Sequence, residues 1–138
     1  AGPMGSIVLG LVSGVCGFLA CTSLKSALGY DDSLDVFGVH CVGGIVGAIG
    51  TGLLVDPQLG GTGIADYIAK PVQLTVVYDM ASQMKAQLKA VALTLLWSGL
   101  VSMALYKIVD LVIGLRPPRE KERAGLDLSE HGERGYNF

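Results

Sequence analysis

Charge is missing from three long stretches of this chain, and that absence limits the fold more than any motif does. Ala1 to Leu24 carries no ionisable charge, Val36 to Val55 carries only His40, and Ala90 to Tyr106 again carries none. An uncharged run of about 20 residues is what an α-helix needs to cross the hydrocarbon core of a bilayer. One such run also fits a buried helix of a soluble domain. Three runs in 138 residues do not, because so short a chain cannot cover three apolar helices from its own polar surface. The charged fraction, 16%, lies below the roughly one quarter usual for soluble domains. The expected fold is an all-α membrane protein, with spans at about 4–24, 34–55 and 84–115.

Between the spans the sequence changes character. Lys25 to Ser33 is a short connector holding Gly29, Asp31 and Asp32. Asp56 to Gln83 is a longer loop that opens on Asp56-Pro57 and Gly60-Gly61-Thr62-Gly63, a turn-rich start. Tyr67, Pro71 and Tyr78 suit an ordered loop, with a short helix expected near Gly63 to Lys70. The glycines do not form a phosphate-binding loop, since no Lys-Ser/Thr follows and no strand precedes them. The first turns of the third helix are amphipathic and are expected to protrude from the bilayer. Gly114, Pro117 and Pro118 then end it. Beyond it lies a polar tail, 116–138, whose composition suits either disorder or an extended docking segment. Basic residues favour the Lys25 connector and the tail over the 56–89 region, which places connector and C-terminus in the cytoplasm and the loop outside. The chain begins on Ala1 without a basic leader, so the first apolar run does not resemble a signal peptide; a fragment lacking its upstream part is the simpler reading.

The second span holds the residue most open to a functional reading. On a uniform wheel of about 100° per residue, Val36, Gly43, Gly44, Gly47, Thr51 and Leu54 fall near His40. Val42, Ile45, Val46, Ile49 and Leu53 lie opposite. One face is branched and apolar; the other is mostly glycine with one imidazole. Gly10, Gly14 and Gly17 of the first span also share a face, and small residues let helices approach closely in lipid. An imidazole on such a face either fixes packing through an interhelical hydrogen bond or lines a pathway, as intramembrane ionisable groups often do. Its two nitrogens can accept and donate a proton in turn, which suits a relay. Asp35 stands where a carboxylate would cap the helix and favour its dipole. No catalytic set, metal site or cofactor is expected: His40 lacks a second ligand at helical spacing, and there is no nucleophile elbow or His-Glu-x-x-His. Cys16, Cys21 and Cys41 read as small packing residues. Lys107 and Asp110, three apart, suit an interfacial ion pair.

Asp31-Asp32-x-x-Asp35-Val36-Phe37-Gly38-Val39-His40, continuing through Gly43-Gly44-Ile45-Val46-Gly47, resembles the penultimate transmembrane helix of the ammonium transporter family (Amt/Mep/Rh), bacterial Amt branch. Trp97-Ser98-Gly99, Tyr106-Lys107-x-x-Asp110 and Gly114-Leu115-Arg116 resemble its last helix. Gly125-Leu126-Asp127, His131-Gly132-Glu133 and Tyr136 resemble its cytoplasmic tail. The similarity covers essentially the whole chain. It implies the last three helices of an eleven-helix bundle plus the regulatory tail, in a homotrimer with one pore per subunit in the bacterial inner membrane.

The resemblance also implies roles. His40 matches the second of two pore histidines, and Val36 a pore-lining position on the cytoplasmic side. Asp35, Gly43, Gly44 and Gly47 would support that helix. The mechanism implied is recruitment of ammonium, deprotonation, passage of ammonia and a proton relay over the paired histidines. A neutral species avoids the desolvation cost, several kcal/mol per ion even after relaxation, that ammonium would meet in a dry pore. Gly125, Asp127, His131, Gly132, Glu133 and Tyr136 would form the tail contacts, and a PII signalling protein would dock on the cytoplasmic face. The resemblance implies neither an enzyme nor a nucleic-acid partner. Two other readings stand beside it: an ammonium sensor built on the same core, and a three-helix accessory protein in which His40 only packs.

Overall fold

The computed structural model describes residues 1–66, 71, 73–76 and 78–135. Three helices in it are long and apolar enough to cross a membrane: Pro3–Leu28, Phe37–Leu54 and Met80–Val112. The chain divides into two units, Ala1–Thr94 and Leu95–Phe138.

In the first unit the Pro3–Leu28 and Phe37–Leu54 helices form an antiparallel hairpin. The contact runs along small residues. A Cβ on Gly5 would meet Leu54, one on Gly50 would meet Leu9, and one on Gly38 would meet Cys21 and Ala20. Glycine at these places lets side chain or backbone of one helix sit directly on backbone of the other. Gly17 approaches Gly38, but Gly10, Gly14, Gly43, Gly44 and Gly47 face open space.

Both helices widen where they meet. Ala20–Leu24 and Phe37–Val42 are π-helical turns, in which the backbone bonds i→i+5 and each residue advances less around the axis. The wide turns face one another at Ala20, Cys21 and Gly38. Ala20 is 4% exposed and is the buried apolar side chain of this interface. Wide turns leave carbonyls in need of donors. The Thr22 hydroxyl donates to the Phe18 carbonyl at 2.7 Å, and the Tyr30 hydroxyl approaches the Ala20 carbonyl at 3.5 Å. The first helix ends on Gly29 at φ 63°, the left-handed cap that glycine takes without steric cost.

The second helix runs into a compact turn. Pro57–Leu59 is a single 3₁₀ turn whose cap is the Asp56 carboxylate, accepting from the Gln58 N–H at 2.9 Å. Gly61 and Gly63 N–H groups donate back to the Asp56 and Val55 carbonyls, each at 2.9 Å. A Cβ at Gly61 would overlap the Val55 carbonyl. Next come two short strands, β1 (Ile64–Asp66) and β2 (Gln73–Val76), paired antiparallel with Ile64 opposite Val76 and Asp66 opposite Gln73. Residues 64–66 are therefore strand, not the expected short helix. Extended pairing satisfies the backbone that a helix of so few residues would leave half unbonded. The rest of that expectation, 67–70, lies outside the described residues.

The third helix starts at Met80 rather than near 84. Asp79 caps it, its carboxylate accepting from the Ser82 N–H at 2.9 Å, and hydrogen bonds from the Ser82 side chain and backbone hold its carboxyl below the usual carboxylate range. The Tyr78 hydroxyl donates to the Gly52 carbonyl at 2.7 Å, tying the start of this helix to the end of the second. Burial raises the phenol's pKa.

In the second unit, Lys107 and Asp110 pair across one turn at 3.6 Å, both well exposed. Gly114, at φ 79°, closes the helix. The tail is not extended. Arg119–Ala124 is a short helix, Asp127–His131 a π-turn, and Gly125 and Gly132 make the bends between and after them. Arg116 pairs with Glu122 and Lys121 with Glu130, each at 2.8 Å.

Candidate functional site

The site is built at the N-terminal end of the second helix. Its first free N–H groups are satisfied by Asp32, whose carboxylate accepts from Val36 at one oxygen and from Phe37 at the other, both at 2.9 Å. The capping carboxylate is thus Asp32 and not Asp35. The two aspartates stand three apart, and the chain turn between them decides the matter: Asp35 sits at φ 55°, a left-handed position that a short polar residue tolerates. That turn sends its carboxylate away from the helix start and onto Lys25, at 2.7 Å. Lys25 also donates to the Asp32 carbonyl. Asp35 does support the helix through its backbone, since its carbonyl accepts from the Val39 N–H at 3.0 Å. Tyr30 packs edge-on against Phe37, with ring centroids 5.5 Å apart. Burial, aided by the Asp32 charge, raises its phenol's pKa.

His40 lies in the middle of the wide turn, with Val36 just before it. Both side chains are exposed, so the first helix does not absorb the imidazole into its packing. The wheel drawn from the sequence assumed one angular step throughout. Across Phe37–Val42 the step is smaller, so His40 is rotated relative to Gly43, Gly44 and Gly47. From Gly43 onward the helix is regular, and those three glycines still offer bare backbone to open space. Among the described residues, no group of three or more His, Cys, Asp or Glu could hold a metal ion.

The tail residues form a second cluster. Gly125 adopts φ 94° with ψ 130°, and a Cβ there would stand 2.6 Å from an oxygen of the Asp127 carboxylate. The Asp127 carbonyl accepts from the Glu133 N–H at 3.0 Å, and Gly132 N–H donates to Leu128 at 3.2 Å. His131 is exposed in the π-turn. Tyr136 lies outside the described residues. The Lys121 ammonium beside Glu130 holds that carboxyl below its ordinary range. A depressed carboxyl contributes stability that is fully present above its unfolded value and lost as pH falls through the folded one. Glu130 is therefore expected to titrate lower than in a Lys121→Met variant, as read from its side-chain carboxyl NMR signal. Equal midpoints would dissolve the pair in solution.

An apolar helical hairpin, a third long apolar helix and an ionisable residue on an exposed glycine-bearing surface define a polytopic membrane protein. The sequence profile of the Ammonium Transporter Family matches residues 1–136. The chain is 38% identical over 135 residues to an ammonium transporter of Aquifex aeolicus, covering 98% of this chain and 29% of that protein. It is 39% identical over 134 residues to one of Bacillus subtilis, covering 97% and 31%. It is 37% identical over 132 residues to ammonium transporter Amt1 of Archaeoglobus fulgidus, covering 96% and 31%. The chain belongs to the ammonium transporter family, a family of transporters and not of enzymes. It spans about three tenths of the length of these curated relatives.

Proposed function

We propose that this chain is the C-terminal part of a transporter that recruits ammonium, deprotonates it and conducts ammonia, with His40 carrying one half of a proton relay. The observation that carries the reading is the imidazole's place. It is the histidine of the second span, it stays exposed where the hairpin packs, and Gly43, Gly44 and Gly47, which follow it, face open space. A packing histidine would be engaged at the helix contact; that contact is made by Gly38, two residues earlier. An exposed imidazole in lipid is costly unless it faces a polar passage. Val36, just before it, would line the cytoplasmic side of the same passage, and Gly43, Gly44 and Gly47 would let a further helix of the bundle close against it.

In the full-length protein, His40→Ala is expected to abolish electrogenic ammonium transport, measured as current in proteoliposomes. His40→Glu is expected to keep part of it, because a carboxyl can still exchange a proton. Undiminished ammonium-selective current in His40→Ala would overturn the reading; ammonium binding without flux in the unaltered protein would favour a sensor.

The remaining features fit the same assembly. The connector and tail face the cytoplasm and the Asp56–Gln83 loop the outside, in the inner membrane of a bacterium. The protein is a homotrimer. The folded tail, with Gly125, Asp127, His131, Gly132 and Glu133 at its bends, is a regulatory element, and a PII signalling protein docks on that face.

A further inference from the structure

We propose that Lys25 is a positioning residue for His40, acting through Asp35; this rests on the pathway role given to His40 above. Lys25 follows the first wide turn, Ala20–Leu24, directly. Asp35 stands just before the second, Phe37–Val42. Their 2.7 Å ion pair therefore fastens the end of one π-turn to the beginning of the other. The same ammonium donates to the Asp32 carbonyl, and Asp32 holds the first N–H groups of the histidine helix. One cation thus holds both aspartates at the start of that helix.

The start matters because Asp35 is held in a left-handed conformation, φ 55°, which a non-glycine residue keeps only when its surroundings impose it. Its carbonyl receives the Val39 N–H at 3.0 Å, one residue before the imidazole, and the Cys21 thiol lies 4.0 Å from that carbonyl. If Asp35 relaxes to ordinary helical angles, the turn containing His40 changes phase and the ring moves off its line. The partners of Lys25 are Asp32 and Asp35, not the imidazole. The lysine's effect is on placement, and misplacement of a reacting group by about 1 Å can cost roughly a hundredfold in rate.

The test is transport by the full-length protein at saturating and limiting ammonium, with membrane abundance measured in parallel. Lys25→Met is expected to lower the maximal rate about tenfold or more with the half-saturating concentration unchanged, and Lys25→Arg to restore most of it. Asp35→Asn, which tolerates positive φ but keeps only a neutral hydrogen bond to Lys25, is expected to fall between Lys25→Arg and Lys25→Met. Asp35→Val, which does not tolerate it, is expected to match Lys25→Met. A normal maximal rate in Lys25→Met or in Asp35→Val overturns the proposal, as does failure of Lys25→Arg to restore. Should Lys25→Met not reach the membrane, the Asp35 pair decides alone. His40→Ala in the same assay separates the two ideas: full current there removes the pathway role itself, whereas its loss beside a normal Lys25→Met removes only the positioning.

Discussion

Gly38→Ala is expected to destabilise the full-length protein and to slow transport, and Cys21→Ala is expected to relieve much of both effects. A Cβ on Gly38 would overlap the Cys21 sulfur and stand 3.0 Å from the Cys21 nitrogen and 3.4 Å from the Ala20 carbonyl carbon. The nitrogen and the carbon are backbone of the facing helix and cannot swing aside. The sulfur is the closest obstacle, and Cys21→Ala removes it. What remains is a contact tight by a few tenths of an ångström. Overpacking of this kind costs about 1–3 kcal/mol, visible as a lower melting temperature in detergent. A double-mutant cycle over the two positions isolates the shared term. Additive effects would mean that the helices do not meet there. Gly38→Val adds branches against backbone, and Cys21→Ala is not expected to rescue it. Transport falls because the widened hairpin carries His40 with it.

Gly125→Asp is expected to stop transport while leaving the protein in the membrane in normal amount. Two penalties combine. The backbone at φ 94° and ψ 130° is open to glycine and strained for other residues, at about 1–3 kcal/mol. The new side chain would also stand against the Asp127 carboxylate, placing two negative groups together. Gly125→Ala carries the strain without the added charge and is expected to fall between. The structural readout is the tail alone: amide exchange over Arg119–His131 rises in both variants. Normal uptake in Gly125→Asp would remove the tail from regulation, whatever its conformation.

The spans were legible because lipid demands long uncharged runs, and helices of about that extent are found. His40 was legible as an exception within such a run. The Lys107–Asp110 pair followed from helical spacing. What the sequence concealed depends on backbone geometry that side-chain types do not encode. Nothing in Phe-Gly-Val-His-Cys-Val announces an i→i+5 turn, and a uniform wheel gives no reason to single out Gly38 as the glycine pressed against the first helix. The choice between Asp32 and Asp35 as cap was also hidden. Both are suited chemically, and the left-handed turn at Asp35, which sends its carboxylate to Lys25, separates them. The tail's composition left disorder and an extended docking segment open, because short-range ion pairs and glycine bends hold a fold too small to show in hydropathy.

The paired wide turns also carry a consequence for chain length. A π-turn accommodates an extra residue within a helix without altering either end. Deleting one residue between Phe37 and Val42 would let the stretch close into ordinary α-helix, with its apolar character intact and no charge introduced. Gly38 or His40 would then lose its place, since both cannot keep their present facing with one residue fewer between Asp35 and Gly43. At this crossing the count of residues is as much a part of the machinery as their identity.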